Sequence, residues 1–164
     1  RPTLDIGGAF TTLARAAGLV GNNQDFDAYA NEDNFLLAAF VFEDVGVTAY
    51  QGAAPLLTDR SVLAAAAGLL AVEAYHASLI RTVLFNRGRF GETARISNLR
   101  DSLDSEGDKD QDIGGPDRSN IVPADSDGLT FPRSTREVLN IVYGRRGAGS
   151  GLFFPDSFNG NIRE

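Results

Sequence analysis

A mainly α fold is predicted for this 164-residue chain, and three observations predict it. Two long stretches, 34–53 and 61–86, carry apolar residues at helical spacing. The linker between them is short, which makes them antiparallel neighbours. Shorter helical patterns flank the pair on both sides, and long Gly-, Asp- and Pro-rich loops fill the C-terminal third. No internal repeat or boundary divides the chain, so 1–164 is treated as a single domain.

The elements follow in order. In "GGAFTTLARAAGLV", Phe10, Leu13, Ala14 and Ala17 recur at helical spacing and Gly18 suits a stop, giving a short first helix. The polar "GNNQD" that follows reads as a loop. In 34–53, Leu36, Phe40, Val47 and Tyr50 lie near one face; Asn31 or Asn34 caps the start, with Glu32 and Asp33 beside the positive end of the helix dipole. Gly52 and Pro55 end it. Thr58 or Asp59 caps the second long helix, Gly88 stands just past its end, and Arg81 and Arg87 suit its negative terminus. A shorter helix is expected over 93–103, and a long loop over 104–128. In "FPRSTREVLNIVYG", Ser134 and Glu137 fit a capping box that opens a last helix. Phe153, Phe154 and Phe158 of the Gly-rich tail are expected to pin an extended segment to the helices.

Composition narrows the function. The chain is 43% hydrophobic and 23% charged, an ordinary globular balance. A net charge of −7 repels phosphate backbones, so no nucleic-acid partner is expected. Cysteine is absent, which removes disulfides and thiolate sites and leaves oxygen and imidazole as the available metal ligands. No uncharged apolar run reaches the roughly 20 residues that span a bilayer, and no membrane span is expected. The chain opens on Arg1 rather than Met and with no signal peptide, so it is expected to begin inside a longer precursor.

The chemistry concentrates in "LLAVEAYHASLIRTVL". Glu73 and His76, the only histidine, stand three residues apart and project from one side of a helix. Their neighbours on that face, Ala66, Leu69, Leu70, Ala77, Ile80 and Val83, are apolar, so the pair is expected inside the core stripe. Glu43 is a matching oddity on the preceding helix, with Leu36, Ala39, Phe40, Val47 and Tyr50 around it. The middles of antiparallel helices meet, so Glu43 and Glu73 are expected at similar height. Two close carboxylates repel unless they share a proton or a cation. Glu43, Glu73 and His76 suit iron, manganese or zinc. One Glu plus one Glu-x-x-His is half of a di-metal carboxylate site of a four-helix bundle.

The stretch "NFLLAAFVFEDVGVTAYQGAAPLLTDRSVLAAAAGLLAVEAYHASLIRTVL" resembles the second helical pair of bacterial ferritin-like domain proteins, which are related to plant desiccation-associated proteins. "IVPADSDGLTFPRSTREVLNIVYG" and "GLFFPDSFNGNI" resemble their C-terminal region. The resemblance implies a ferritin-like helical bundle of which this chain is the C-terminal half, with Glu43, Glu73 and His76 at ligand positions. It also implies a first helical pair, with its own Glu and Glu-x-x-His, that is missing here. That pair, another polypeptide or a homo-oligomer is expected to complete the bundle. Relatives often begin with a twin-arginine export signal, so the expected location is extracytoplasmic, periplasmic or secreted.

The expected function is that of a metal-binding, di-iron carboxylate type protein engaged in iron redox or oxidative-stress protection. The alternative is a non-catalytic structural or interaction protein in a larger assembly. Asp108, Asp110 and Asp112 of "DKDQDIG" resemble the start of a calcium loop, but the twelfth position is Ser119 where that loop wants Glu. A nucleophilic triad is excluded: the lone histidine belongs with Glu73, and no G-x-S-x-G motif is present.

Overall fold

The structure is a computed structural model that describes residues 1–104 and 107–159. Five α-helices account for most of it: α1 Gly8–Ala16, α2 Glu32–Ala53, α3 Arg60–Asn86, α4 Phe90–Leu103 and α5 Thr135–Tyr143. A 3-10 turn, Ala54–Leu56, links α2 to α3, and a two-residue antiparallel ladder, Gly114–Gly115 with Arg118–Ser119, punctuates the loop before α5.

Local chemistry sets the helix ends. Asn31 caps α2 by accepting from the Asn34 N–H at 2.9 Å. Asp59 caps α3 by accepting from the N–H groups of Ser61 and Val62. Ser134 and Glu137 form the expected capping box at α5, each side chain accepting from the other's backbone N–H. The first helix is shorter than its apolar pattern, because Gly18 turns the chain at positive φ. Helix α4 starts earlier than expected, at Phe90. Its inward face is Thr93, Ile96, Ser97 and Arg100, too polar for apolar periodicity to reveal.

Helices α2 and α3 run antiparallel. The end of α3 meets the start of α2, where Arg87 bridges Glu32 at 2.7 Å and Asp33 at 2.5 Å, and Arg89 also pairs with Asp33. The core gathers around α2: Phe10 and Leu13 of α1, Leu37, Phe40 and Val41 of α2, Ile80 and Leu84 of α3, Ile96 of α4, and Ile113 and Phe153 from loops. Phe153 packs edge-on against Phe10 and Phe42, at 5.1 and 4.6 Å between centroids. Its N–H donates to Val142 O, and its carbonyl accepts from Asp5 N–H. The aromatic tail is thereby pinned at both ends of the sequence.

The loop before α5 crosses the C-terminal part of α2 closely. Arg133 N–H donates to Thr48 O at 3.0 Å. A Cβ on Gly52 would stand 2.7 Å from the Arg133 carbonyl carbon, so only glycine admits this crossing.

Helix α3 departs from expectation. No residue from 60 to 76 is buried, and its buried positions are Ala77, Ile80, Arg81 and Leu84. Val62, Leu69, Val72, Tyr75 and Leu79 are exposed. The expected core stripe around Glu73 and His76 is therefore open on this chain, because α2 covers only one side of α3 over its first four turns. By length and composition alone α3 could cross a bilayer, with mean hydropathy 1.5 in its most apolar window. It carries Glu73 within that stretch, and its second half packs into the protein.

Candidate functional site

The antiparallel register brings the three sequence-singled residues together. Glu43 lies mid-way along α2; Glu73 and His76 lie one turn apart on α3. His76 Nδ1 stands 3.4 Å from Glu43 Oε2, and the Glu73 carboxyl reaches hydrogen-bond contact with that of Glu43. Burial, the Glu43 hydrogen bond and the Glu43 charge push the Glu73 carboxyl up to about 7, with His76 pulling it back. Glu43 Oε2 is buried and accepts no hydrogen bond. His76 is the open side, its side chain 55% exposed against 23% for Glu43. Among the described residues no lysine or arginine pairs with either carboxylate.

The open space between the carboxylates and α2 comes from Gly46. The Glu73 carboxyl lies against its bare Cα, where a Cβ would be 2.6 Å from Glu73 Cδ. A buried carboxylate oxygen, a second carboxylate that holds its proton to near neutrality, and an adjacent imidazole are donor types that a divalent cation takes, although the ligand atoms of the three residues do not all lie within 4.8 Å of one another. Carboxylate and imidazole together suit iron, manganese or zinc.

A second acidic grouping lies lower in the molecule, and sequence reasoning missed it. Arg81, Arg100 and Arg133 are almost fully buried and face Asp44, Asp104 and Asp110. Arg81 donates to Asp44 Oδ2 at 2.8 Å and to the carbonyls of Gln111, Asp112 and Asn120. Arg100 reaches Asp44 Oδ2 at 3.1 Å and Asp110 Oδ1 at 2.5 Å, and donates to the carbonyls of Phe40 and Val41. Arg133 pairs with Asp104 at 2.8 Å, with Asp110, and with Thr48 Oγ1 at 2.6 Å. Three guanidiniums thus neutralise three carboxylates where α2, α3, α4 and the loops meet.

Carboxyl oxygens of Asp101, Asp104 and Asp110 lie within 4.8 Å of one another, close enough to share a cation. Arg100 and Arg133 already supply the positive charge there, so the grouping works as a structural clamp. Asp101 stands outside the pairing; burial, then the charges of Asp110 and Asp108, push its carboxyl up to about 6. The same geometry removes the calcium-loop reading. Asp110 is taken by arginines, Asp112 accepts from Gly114 N–H, and Asp108 is exposed. Arg81, expected beside the helix terminus, is instead the centre of the clamp.

Asp44 follows Glu43 directly on α2, and Arg81 lies two turns beyond Glu73 on α3. The clamp therefore fixes the register of the two helices that bear the candidate ligands.

A family model described as Ferritin-like domain matches residues 1–86, the segment that ends with α3. The desiccation-related protein PCC13-62 of Craterostigma plantagineum is 35% identical over 158 residues, covering 85% of this chain and 50% of that protein. The ferritin-like catalase Nec2 of Nesocodon mauritianus is 30% identical over 184 aligned positions, covering 99% of this chain and 58% of that protein. The chain thus spans about half the length of these relatives. No solved structure matches it.

Proposed function

We propose, from the premise that this chain belongs to the ferritin-like domain family, that Glu43, Glu73 and His76 hold a divalent metal as half of a di-metal carboxylate site. The observation that carries this reading is the buried Glu43 oxygen, 3.4 Å from the only histidine and beside a second carboxylate, with no arginine or lysine among the described residues to neutralise them. Iron is the favoured metal, with manganese or zinc as the other fits to this donor set.

Bound iron or manganese would supply one-electron redox chemistry toward oxygen species, which zinc would not. The chain's own residues do the rest. Glu43 and Glu73 give negative charge on one side, and Glu73 must release its proton to bind. His76 supplies a neutral donor at the open rim, where small molecules reach the site. The proposed role is iron redox or oxidant removal, a reading supported by one relative being named a catalase and the other desiccation-related. The remaining ligands, another Glu and another Glu-x-x-His, would come from a second helical pair laid on the open face of α3. A longer form of this protein, another polypeptide or a second copy could supply it.

Metal analysis of the purified protein before and after loading with iron(II), manganese(II) and zinc(II) tests the proposal. Bound metal that is lost in Glu43→Gln and Glu73→Gln supports it. A metal-free native sample, unchanged by loading, contradicts it.

A second reading is favoured by the exposed apolar side chains of α3, Val62, Leu69, Val72, Tyr75 and Leu79. On that reading the chain is a structural or interaction protein that keeps the framework without turnover. Light scattering separates the two requirements: a well-folded lone monomer of 17.5 kDa would remove the need for any covering chain.

A further inference from the structure

We propose that Gly46 is a positioning residue for the candidate site: its missing side chain is the seat of the Glu73 carboxylate. The inference rests on the reading of Glu43, Glu73 and His76 as metal ligands. Gly46 lies in the interior of a 22-residue helix, where glycine is a poor choice by propensity alone. It stands one turn beyond Glu43 and faces α3. An added Cβ would lie 2.6 Å from Glu73 Cδ and 3.1 Å from Glu73 Oε1. Such overlap cannot persist.

What gives way is decided by what the Cβ meets. The three atoms it meets most closely are all at the far end of a flexible side chain, so α2 and α3 can keep their spacing while the carboxylate swings out. Glu73 would then leave Glu43 and His76, and the site would lose one donor of three. Gly52 on the same helix is different, since a Cβ there meets the Arg133 backbone and the fold itself must shift. The glycine of α3, Gly68, is different again: its added Cβ would meet nothing within 4 Å. The three glycines of α2 and α3 therefore separate into one that seats a ligand, one that admits a chain crossing and one that is free.

The test compares Gly46→Ala with Gly68→Ala in the full chain. Binding is read by titrating cobalt(II) and following its visible absorption, with manganese(II) as a second probe, and folding by the thermal midpoint. Gly46→Ala is expected to weaken cobalt binding at least tenfold and alter the absorption band, with no fall in the midpoint. Gly68→Ala is expected to keep affinity within twofold of the parent. Gly46→Ala that binds cobalt as tightly as the parent overturns the proposal.

A crystal structure of metal-free Gly46→Ala is the second arm. The Glu73 carboxyl displaced from the α2 backbone supports the seat. The same carboxyl still resting against residue 46 and Glu43 overturns it, whether or not any cation binds. A parent chain that binds no cation, with Glu73 displaced in the variant, would overturn the ligand reading and leave the seat established.

Discussion

Arg81→Met is the perturbation for which the structure gives the fullest magnitude. Methionine matches the length of the arginine stem but carries no charge and no donors. The guanidinium is fully buried and donates to Asp44 and to three loop carbonyls. Its loss leaves Asp44 to Arg100 alone, at the longer distance of 3.1 Å. Removing one partner of a buried ion pair costs about 3–5 kcal/mol. The freed carbonyls add about 1–3 kcal/mol, less where water reaches them. A total of about 4–8 kcal/mol is a large share of a domain's stability and lowers the midpoint by about 10–30 °C. Urea unfolding of metal-free protein, followed by circular dichroism, measures it.

Asp44→Asn closes a double-mutant cycle with Arg81→Met. The pair should cost at least about 1 kcal/mol less than the sum of the singles, since the second substitution removes the charge that the first leaves unpaired. A cost under about 1 kcal/mol for Arg81→Met, or strict additivity, would refute the clamp as the device that holds α2 to α3 and the loops.

Other outcomes follow from the same geometry. Metal-free protein should lose about 1–2 kcal/mol as pH rises from 4.5 to 7 through Glu73, because the folded state holds that proton up to about 7 while the unfolded chain releases it near 4.5; denaturant melts across the range read this. Metal loading below pH 7 should release this proton, seen as a buffer-dependent heat in calorimetry. Glu73→Gln should stabilise the metal-free protein at pH 8 by a similar amount while weakening metal binding. Phe153→Ala should cost about 3–5 kcal/mol by emptying the aromatic contact with Phe10 and Phe42, with no direct effect on metal affinity. Ser134→Ala should cost about 1 kcal/mol through the lost cap on α5.

The ligand triad was legible because it breaks a pattern. A carboxylate and the lone histidine inside an apolar helical repeat, and a second carboxylate at matching height on an antiparallel neighbour, are visible from period and register alone. What the period could not show is which stripe has a partner. Residues 60–76 of α3 carry an apolar pattern on every side, and only the structure reveals that α2 covers one of them. The clamp was hidden for a different reason. Charged residues read as solvent-facing, and the three aspartates that meet Arg81, Arg100 and Arg133 come from separate segments, α2, the end of α4 and the loop after it, so no spacing rule joins them. A signal existed: Arg81 stands beside Ile80 and three residues before Leu84, within the most apolar helix of the chain. Nothing in the sequence marks Gly46 as the seat of a carboxylate, since the close approach of Glu73 depends on tertiary structure.

Anomalous diffraction from crystals loaded with manganese(II) or iron(II) tests the central claim most directly. A peak bounded by the carboxyls of Glu43 and Glu73 and the imidazole of His76 is expected. A peak only among Asp101, Asp104 and Asp110, or no peak at either place in fully loaded crystals, would contradict it.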